Sequence, residues 1–234
     1  MTTHPPALPH GLPTEIFDGI YMVTGAMKMN VLMSFDRNMT IVRHPGGLAL
    51  FNTVRMNEAG LAALDALGEV TDVVRLGAFH GRDDAFYVER YGARMWAPEG
   101  CSERLSPTAL NEDSDLPIEG AQVFVFHSAT KPEAIVRLPD HGGVLIPCDS
   151  LQNWLGPHAE YTSLPARLMM RLMGFFKPAA VGLAWLKAAK PAASCFHRLQ
   201  EWDYEVVLPS HGEPMLNGAK AAYTPAIEAA IAKG

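Results

Sequence analysis

The chain has 234 residues, of which 48% are hydrophobic and 19% are charged, and its formal net charge is −6 at pH 7. This length is enough for one substantial domain with a full hydrophobic core. An acidic chain lacks the basic surface that general nucleic-acid binding requires, so we expect no nucleic-acid partner.

The N-terminal sequence and the cysteines indicate the compartment. Residues 1–13 are rich in proline and contain no secretory signal, so we expect a disordered arm there and a single domain over residues 14–234. Cys101, Cys148 and Cys195 are widely spaced without a CxxC pair, which predicts neither a disulfide framework nor a cysteine zinc site. Both features favour a cytoplasmic location.

The predicted elements begin with a meander of strands. Apolar and β-branched runs in EIFDGIYMVTG, VLMSFDRNMTIVRHP and GLALFNTV are separated by turn residues. The period then changes to that of a helix, with Leu61, Leu64 and Leu67 on one face, Asn57 placed to cap it and Gly68 placed to end it. The buried strand DVVRL follows, so strands and helices now alternate.

The second half continues with a short helix from about Asp83 to Tyr91 and the strand ARMWAP. After a polar loop, AQVFVF, EAIVRL and GGVLIP predict three more strands. From Ser150 the chain is predicted to be largely helical, with SLQNWL as the first helix of an insertion over about residues 150–202. Charges and a proline interrupt its apolar run, so no membrane span is expected. The strand YEVVLP and a closing helix complete the chain.

Polar side chains follow four of these strands at the point where each strand ends. They are His80, Asp83 and Asp84 after DVVRL, His127 after AQVFVF, Asp149 after GGVLIP and His211 after YEVVLP. Strand-end loops deliver functional groups to one edge of a sheet. Three histidines with one or two carboxylates form a typical ligand set for zinc, iron or manganese.

Several of these residues have a purely structural alternative. Asp83 and Asp149 are both placed to cap the helices predicted after them, and His80 is compatible with an ordinary loop. His127 and His211 have no such alternative, because a histidine buried after an apolar strand needs a polar partner or a metal.

In their order along the chain, these segments resemble the metallo-β-lactamase superfamily. The stretches that carry the resemblance are DGIYMVTG, TIVRHPGGLALFNT, LDALGEVTDVV, GARMWAPEG, HSATKPEAIVRLPDHGGVLIPCDSL and EVVLPSHGEP. The resemblance implies an α+β fold, a four-layer αββα sandwich of two mixed β-sheets flanked by helices. It also implies one or two metal ions at one edge of the sandwich.

The family's HxHxDH motif is degraded in this chain. Its four metal-binding positions fall on Ala78, His80, Arg82 and Asp83, so only the second histidine is kept. Asn52 stands where many members have an aspartate-containing turn. A full two-metal centre is therefore not expected.

Downstream, the resemblance is better preserved. His127, Asp149 and His211 match the third-motif histidine, the bridging aspartate and the final histidine of the family. With its first motif degraded, the resemblance implies at most one divalent metal, held by these three residues and His80. Zinc is favoured over iron or manganese, and the alternative is that no metal binds.

Two functions remain open. The first is a divergent hydrolase that uses at most one metal-bound water to hydrolyse a small ester, amide or phosphoester, with Asp83 or Asp84 orienting or deprotonating that water. The second is a metal-free, non-catalytic member of the fold that serves as a binding or assembly module. Arg82 favours the second, because a fixed cation at this position opposes a second divalent ion.

The segment between Glu160 and Glu201 contains six basic residues and no acidic one. As a lid over the site, it would suit a small anionic and amphipathic substrate. The predicted substrate-binding residues are Arg82, His158, Tyr161 and His197. The alternative for this segment is a homodimer interface or ordinary helix packing.

Overall fold

Two mixed β-sheets form the centre of the protein in the computed structural model, which describes residues 4–101 and 103–233. The first sheet has seven strands that lie side by side in chain order. They are β1 (Thr14–Phe17), β2 (Ile20–Lys28), β3 (Ser34–His44), β4 (Gly47–Phe51), β5 (Val70–Val74), β6 (Arg94–Ala97) and β7 (Thr108–Ala109). The first four strands form an antiparallel meander, and β4 to β7 pair in parallel.

The second sheet has four strands in the order β13-β10-β9-β8. They are β8 (Gln122–Val125), β9 (Ala134–Leu138), β10 (Val144–Ile146) and β13 (Val206–Val207). The pair β10 and β13 is parallel and the other pairs are antiparallel. A separate two-stranded sheet joins β11 (Leu151–Gln152) to β12 (Ala180–Val181).

Six helices of the described chain surround the sheets, five of them on the outer faces. They are α1 (Glu58–Leu67), α2 (Asp84–Tyr91), α3 (Leu164–Leu172), α4 (Leu183–Ala189), α5 (Ala193–Gln200) and α6 (Ala219–Ile231), with a 3-10 turn at Glu103–Leu105. One apolar cluster lies between the two sheets, a second joins the first sheet to α1 and α2, and a third joins the second sheet to α4, α5 and α6. The predicted four-layer α+β sandwich is therefore confirmed.

Local signals explain why the first helices begin and end where they do. The side chain of Asn57 accepts a hydrogen bond from the N–H of Gly60, as a helix cap does. Gly92, in the left-handed conformation at φ 64°, ends α2. Asp83 precedes α2 but makes no capping hydrogen bond there.

The segment SLQNWL is not the helix that the sequence predicts. Leu151 and Gln152 form β11, which pairs with Val181 and Ala180. Asn153 is committed to neighbouring loops, because its side-chain NH₂ donates to the backbone oxygen of Glu213 and its side-chain oxygen accepts from the N–H of Ala179. These non-local bonds replace local helical ones, so Asp149 caps no helix.

The chain before β1 lies partly along the first sheet. The N–H of Gly11 donates to the oxygen of Thr24 at 2.8 Å, and the N–H of Ala26 donates to the oxygen of Pro9 at 2.8 Å. Residues 1–3 of the predicted arm lie outside the described residues. Within the described ranges, no helix combines the length and apolar character needed to cross a bilayer.

Candidate metal centre

Three strand-end side chains meet in a buried cluster. His80 follows β5, Asp149 follows β10 and His211 follows β13, and all three are buried. His211 Nε2 lies 3.2 Å from both His80 Nε2 and Asp149 Oδ1, and His80 Nε2 lies 3.6 Å from Asp149 Oδ2. The parallel pairing of β10 and β13 brings the last two together, because both strands end at the same edge.

The contacts of His211 fix its tautomer. Its Nδ1 lies 3.2 Å from the backbone oxygen of Asp36, which only accepts, so Nδ1 carries a proton. The Nε2 of a neutral ring then presents a lone pair to Asp149 and His80. A proton or a metal ion is needed between these atoms to offset the repulsion of the facing lone pairs. Burial lowers the pKa of His211, but the hydrogen bond and charge of Asp149 raise it above its ordinary value.

The cluster has close to the spacing that a metal ion requires, and one of its two imidazole rings is neutral at pH 7. Ligand atoms about 2.0–2.2 Å from a tetrahedral zinc ion lie about 3.3–3.6 Å apart, close to the separations seen here. Burial, opposed by Asp149, lowers the pKa of His80 to about 3, so its ring is neutral at pH 7. Its Nδ1 has no hydrogen-bond partner in the described part of the chain. The residues present therefore fit one metal ion.

Cys148 extends this donor set. Its Sγ lies 3.5 Å from Asp149 Oδ2, and donor atoms of His80, Cys148 and Asp149 all lie within 4.8 Å of one another. Burial and the neighbouring carboxylates raise the pKa of the Cys148 thiol, so it is a neutral thiol in the absence of a cation. An ideal Cβ on Gly77 would lie 2.7 Å from this sulfur, so only glycine leaves it room.

Glu133 holds the loop that carries Asp149. Burial and the charge of Asp149 raise the pKa of this fully buried side chain to about 8, and its oxygens accept hydrogen bonds from the N–H groups of Cys148, Asp149 and Ser150, at 3.3, 3.1 and 2.6 Å. Three consecutive amides bound to one side chain leave the loop little freedom. Glu133 therefore positions the aspartate of the cluster.

Asn52 connects three strand-end loops behind the cluster. Its side-chain NH₂ donates to the oxygen of Pro147 at 3.1 Å and to Ser210 Oγ at 2.7 Å, while its side-chain oxygen accepts from the N–H of Leu76 at 3.1 Å. The backbone of Asn52 is left-handed, at φ 54°, a conformation that asparagine adopts more readily than most residues. The loops leading to His80, Asp149 and His211 are thus joined to each other.

Arginines bind both carboxylates that follow His80. Arg37, on β3, forms an ion pair with Asp83 in which each side chain is only 1% exposed. Arg75 Nε lies 3.2 Å from Asp84 Oδ2, and the Thr53 hydroxyl donates to Asp84 Oδ1 at 2.6 Å. Burial raises the pKa of Asp84, against the opposing effects of Arg75 and Thr53.

The carboxylate that a second metal ion would need is already engaged by protein groups. The resemblance would assign that ion to Asp83, Asp149 and His211, but Asp83 is already neutralised by Arg37 and also accepts the N–H of Arg55 at 3.0 Å. A divalent ion at Asp83 would face a fixed guanidinium in a buried setting, which is strongly unfavourable.

The structure does not bring His127 to the cluster. Its side chain is 58% exposed and lies 3.3 Å from Glu112, which also pairs with Arg198. Strand β8 ends at Val125, and the chain turns at once, with the N–H of Ala129 donating to the oxygen of Phe126. The turn leaves His127 at the surface, where a carboxylate is available as its partner.

The predicted substrate-binding residues are all at least partly exposed. Arg82 is half-buried and lies 3.5 Å from Asp83. His158 Nε2 lies 2.6 Å from Glu213 Oε1 and 3.9 Å from Asp36 Oδ2, and its ring stacks on that of Tyr161 with 6.3 Å between centroids. His197 is exposed on α5.

The sequence reasoning missed Arg37, Glu133 and Cys148. A signal for Arg37 was present, because Asp36, Arg37 and Asn38 are three consecutive polar residues within a predicted strand, and the structure buries all three. Glu133 and Cys148 each lie next to an apolar strand, and nothing else in the sequence predicts that the two residues meet.

Two mixed sheets lie between helical layers, and polar side chains gather at one strand-end edge. This arrangement is the metallo-β-lactamase fold.

Solved structures of that fold match the chain along nearly its whole length. A metallo-β-lactamase from Erythrobacter litoralis is 16% identical, with 94% of this chain and 90% of that chain covered and a TM-score of 0.59. The metallo-β-lactamase FIM-1 from Pseudomonas aeruginosa, in its mono-zinc form, is 16% identical, with 97% and 98% covered and a TM-score of 0.59. A metallo-β-lactamase from Pontibacter korlensis is 19% identical, with 92% and 98% covered and a TM-score of 0.58.

These likenesses establish the fold. No protein-family model matches the sequence, and no curated protein matches it.

Proposed function

We propose that the protein is a metal-dependent hydrolase that binds a single divalent ion at His80, Asp149 and His211, with Cys148 as a fourth donor. The observation that carries this proposal is that buried donor atoms meet at one place. His211 Nε2 lies 3.2 Å from His80 Nε2 and from Asp149 Oδ1, and His80 Nε2 lies 3.6 Å from the other oxygen, Asp149 Oδ2, while donor atoms of His80, Cys148 and Asp149 lie within 4.8 Å of one another. Zinc suits the mixture of imidazole, carboxylate and sulfur better than iron or manganese.

A bound ion of this kind supplies Lewis acidity and lowers the pKa of a water molecule toward neutrality, which is sufficient to hydrolyse a small ester, amide or phosphoester. The residues of the chain hold the geometry for that chemistry. The backbone oxygen of Asp36 orients the ring of His211, and Glu133 fixes the backbone of Asp149. Such supporting contacts set the direction of each ligand's lone pair.

Asp83 and Asp84 have a supporting role in this proposal. Both are buried and engaged by arginines, so we infer that they anchor the loop of His80 and that neither deprotonates a water molecule. His158 is the better candidate for contact with the substrate, because it is partly exposed and lies beside Asp36, whose backbone oxygen orients His211. Tyr161 stacks on it, and Arg82 offers a partly exposed cation at the same loop as His80.

A second function, a metal-free binding or assembly module, is favoured by one observation. The carboxylates that follow His80 are both occupied by arginines, so part of the site is stable without any metal.

Metal content separates the two functions. Protein purified without chelator should contain about one equivalent of zinc, iron or manganese by elemental analysis and should take up no second equivalent from excess zinc. His80→Ala, Asp149→Asn and His211→Ala should each lose this metal while keeping the wild-type circular dichroism spectrum. His127→Ala, the matched control, should retain it.

Hydrolysis of a panel of small esters, amides and phosphoesters should then follow the metal, being present in the loaded protein and absent after chelation. Wild-type protein that binds no metal even from excess zinc would exclude the hydrolase and support the binding module.

A further inference from the structure

The helix α3 presents leucines to solvent. Its inner face packs Ala166 and Met170, both at most 1% exposed, against Phe35 and Trp154. Its outer face carries leucines at positions four residues apart, a spacing that places them along one stripe. They are Leu164, Leu168 and Leu172, which are 72%, 61% and 78% exposed. A helix that packs on a core normally shows polar residues on this side.

A second apolar projection lies beside the helix. The tip of the β2–β3 hairpin exposes Met29, Val31 and Leu32, with Val31 at 87%. Asn30 fixes this tip, because its side-chain oxygen accepts the N–H groups of Leu32 and Met33 at 2.9 and 3.0 Å. The apolar side chains are therefore held outward by a defined turn.

Hydrogen bonds join the hairpin to the start of the helix. The Ser163 hydroxyl donates to the backbone oxygen of Leu32 at 3.0 Å, and the N–H of Ser163 donates to the oxygen of Ser34 at 3.1 Å. On the other side of α3, Leu155, Leu164 and Leu168 line one open depression of about 670 Å³. Hairpin tip and helix thus form one continuous surface.

We call this surface the apolar ridge, and define it by the exposed side chains of Met29, Val31, Leu32, Leu155, Leu164, Leu168, Leu172 and Met173. It holds eight of the twelve large apolar side chains that are exposed among the described residues. Such a concentration marks an interaction surface, whereas single exposed leucines do not.

The charges around the ridge are mainly positive. Lys28, Arg171 and Lys177 are exposed and Arg167 is half-buried, and all four lie within or a few residues from the segments that form the ridge. One carboxylate, Glu160, lines the depression beside the hairpin tip. Exposed leucines bordered by lysines and arginines are typical of proteins that insert apolar side chains between anionic headgroups.

We propose that the apolar ridge docks the protein on the surface of an anionic lipid bilayer, with the leucines in the headgroup region and the basic residues on the lipid phosphates. This association is peripheral, and it is independent of the metal centre.

Sedimentation with vesicles tests the proposal. Wild-type protein should bind vesicles of phosphatidylcholine mixed with phosphatidylglycerol, should bind pure phosphatidylcholine far more weakly, and should be released by added salt. Leu168→Asp combined with Leu172→Asp should abolish binding. Arg171→Glu should weaken binding at least about fivefold, because each basic residue near an anionic membrane surface contributes roughly one fivefold factor in affinity.

Two surface variants outside the ridge serve as matched controls. Leu216→Asp and Lys131→Glu should bind the mixed vesicles like the wild type, because both residues are exposed elsewhere on the chain. His80→Ala should also bind normally, so that failure of the proposed metal centre and failure of the membrane proposal can be distinguished.

Three results would overturn the proposal. The first is a wild-type protein that binds neither kind of vesicle. The second is binding that the ridge variants leave unchanged. The third is a dimer in analytical ultracentrifugation that Leu168→Asp dissociates, without vesicle binding, which would make the ridge a contact between two copies of the chain.

Discussion

Arg37 and Asp83 form an ion pair in which both side chains are almost completely buried. Asp83 is three residues beyond His80. Burial lowers the pKa of His80, Asp149 opposes this shift, and the charges of His211, Arg37 and Arg75 add to it. A guanidinium thus balances the carboxylate at the position where the resemblance places a metal ligand. Among the described residues, one strand-end cluster could hold a metal ion, and a buried arginine lies close to it.

Breaking this pair should be costly. Arg37→Met leaves the carboxylate of Asp83 buried without its partner, so we expect a loss of about 3–5 kcal/mol in the free energy of unfolding, measured by urea denaturation. Adding Asp83→Asn to Arg37→Met should recover part of that loss, because the carboxylate that lost its partner is then removed as well. An Arg37→Met protein within about 1 kcal/mol of the wild type would show that the pair contributes little.

Glu133 should matter through its three amide partners. Glu133→Ala leaves the N–H groups of Cys148, Asp149 and Ser150 without their acceptor, and we expect a loss of about 3 kcal/mol or more. Glu133→Gln keeps one acceptor oxygen and should lose less. Thermal unfolding measures the loss of stability, and zinc affinity measures how far the loop of Asp149 has moved. Glu119→Ala, at an exposed position, is the control. Equal losses for Ala and Gln would argue against a role for the oxygen atoms.

Gly77 is predicted to be replaceable only together with Cys148. An alanine Cβ at position 77 would lie 2.7 Å from Cys148 Sγ and 3.0 Å from its Cβ, so Gly77→Ala should cost about 1–3 kcal/mol. In the double variant Gly77→Ala, Cys148→Ala, the new methyl group takes the space of the lost sulfur, so the two losses should not add. Gly156→Ala, where a Cβ would meet nothing within 4 Å, is the control.

His44 gives a pH dependence of known sign. The N–H of Gly46 donates to its Nδ1 at 3.2 Å, and its Nε2 lies 3.1 Å from Thr71 Oγ1 and 3.6 Å from Asp72 Oδ2, so the neutral ring is the form that fits. Burial lowers the pKa of His44 below its ordinary value of 6.5, although Asp72 opposes the shift. The unfolded chain then binds a proton before the folded chain does.

Because the folded-state pKa is the lower one, stability is fully present above pH 6.5 and falls as the pH drops through the folded-state pKa. The free energy of unfolding should fall more between pH 7 and pH 5.5 in the wild type than in His44→Asn. Ring resonances followed by NMR should show a His44 pKa below 6.5, and Asp72→Asn should lower it further. A pKa above 6.5 would contradict this reading.

The order of elements could be predicted because it depends on local patterns. The meander before Phe51, the helix capped by Asn57 and the four strands that precede polar residues all follow from period and turn residues. The helix predicted for SLQNWL was wrong because non-local hydrogen bonds determine the conformation of this segment. Leu151 pairs with Val181, on the far side of α3 in the chain, a contact that no pattern within six residues reveals.

The sequence alone determined which strands end in a histidine or an aspartate, since that is a matter of neighbours along the chain. Only the tertiary structure decided which of these side chains meet. Parallel pairing of β10 and β13 brings Asp149 and His211 together, while the turn after β8 leaves His127 with Glu112 at the surface. Arg37 arrives from β3 to pair with the buried carboxylate of Asp83, and Glu133 arrives from the residue before β9 to accept backbone N–H groups, because packing between distant segments decides which partner a buried polar group meets.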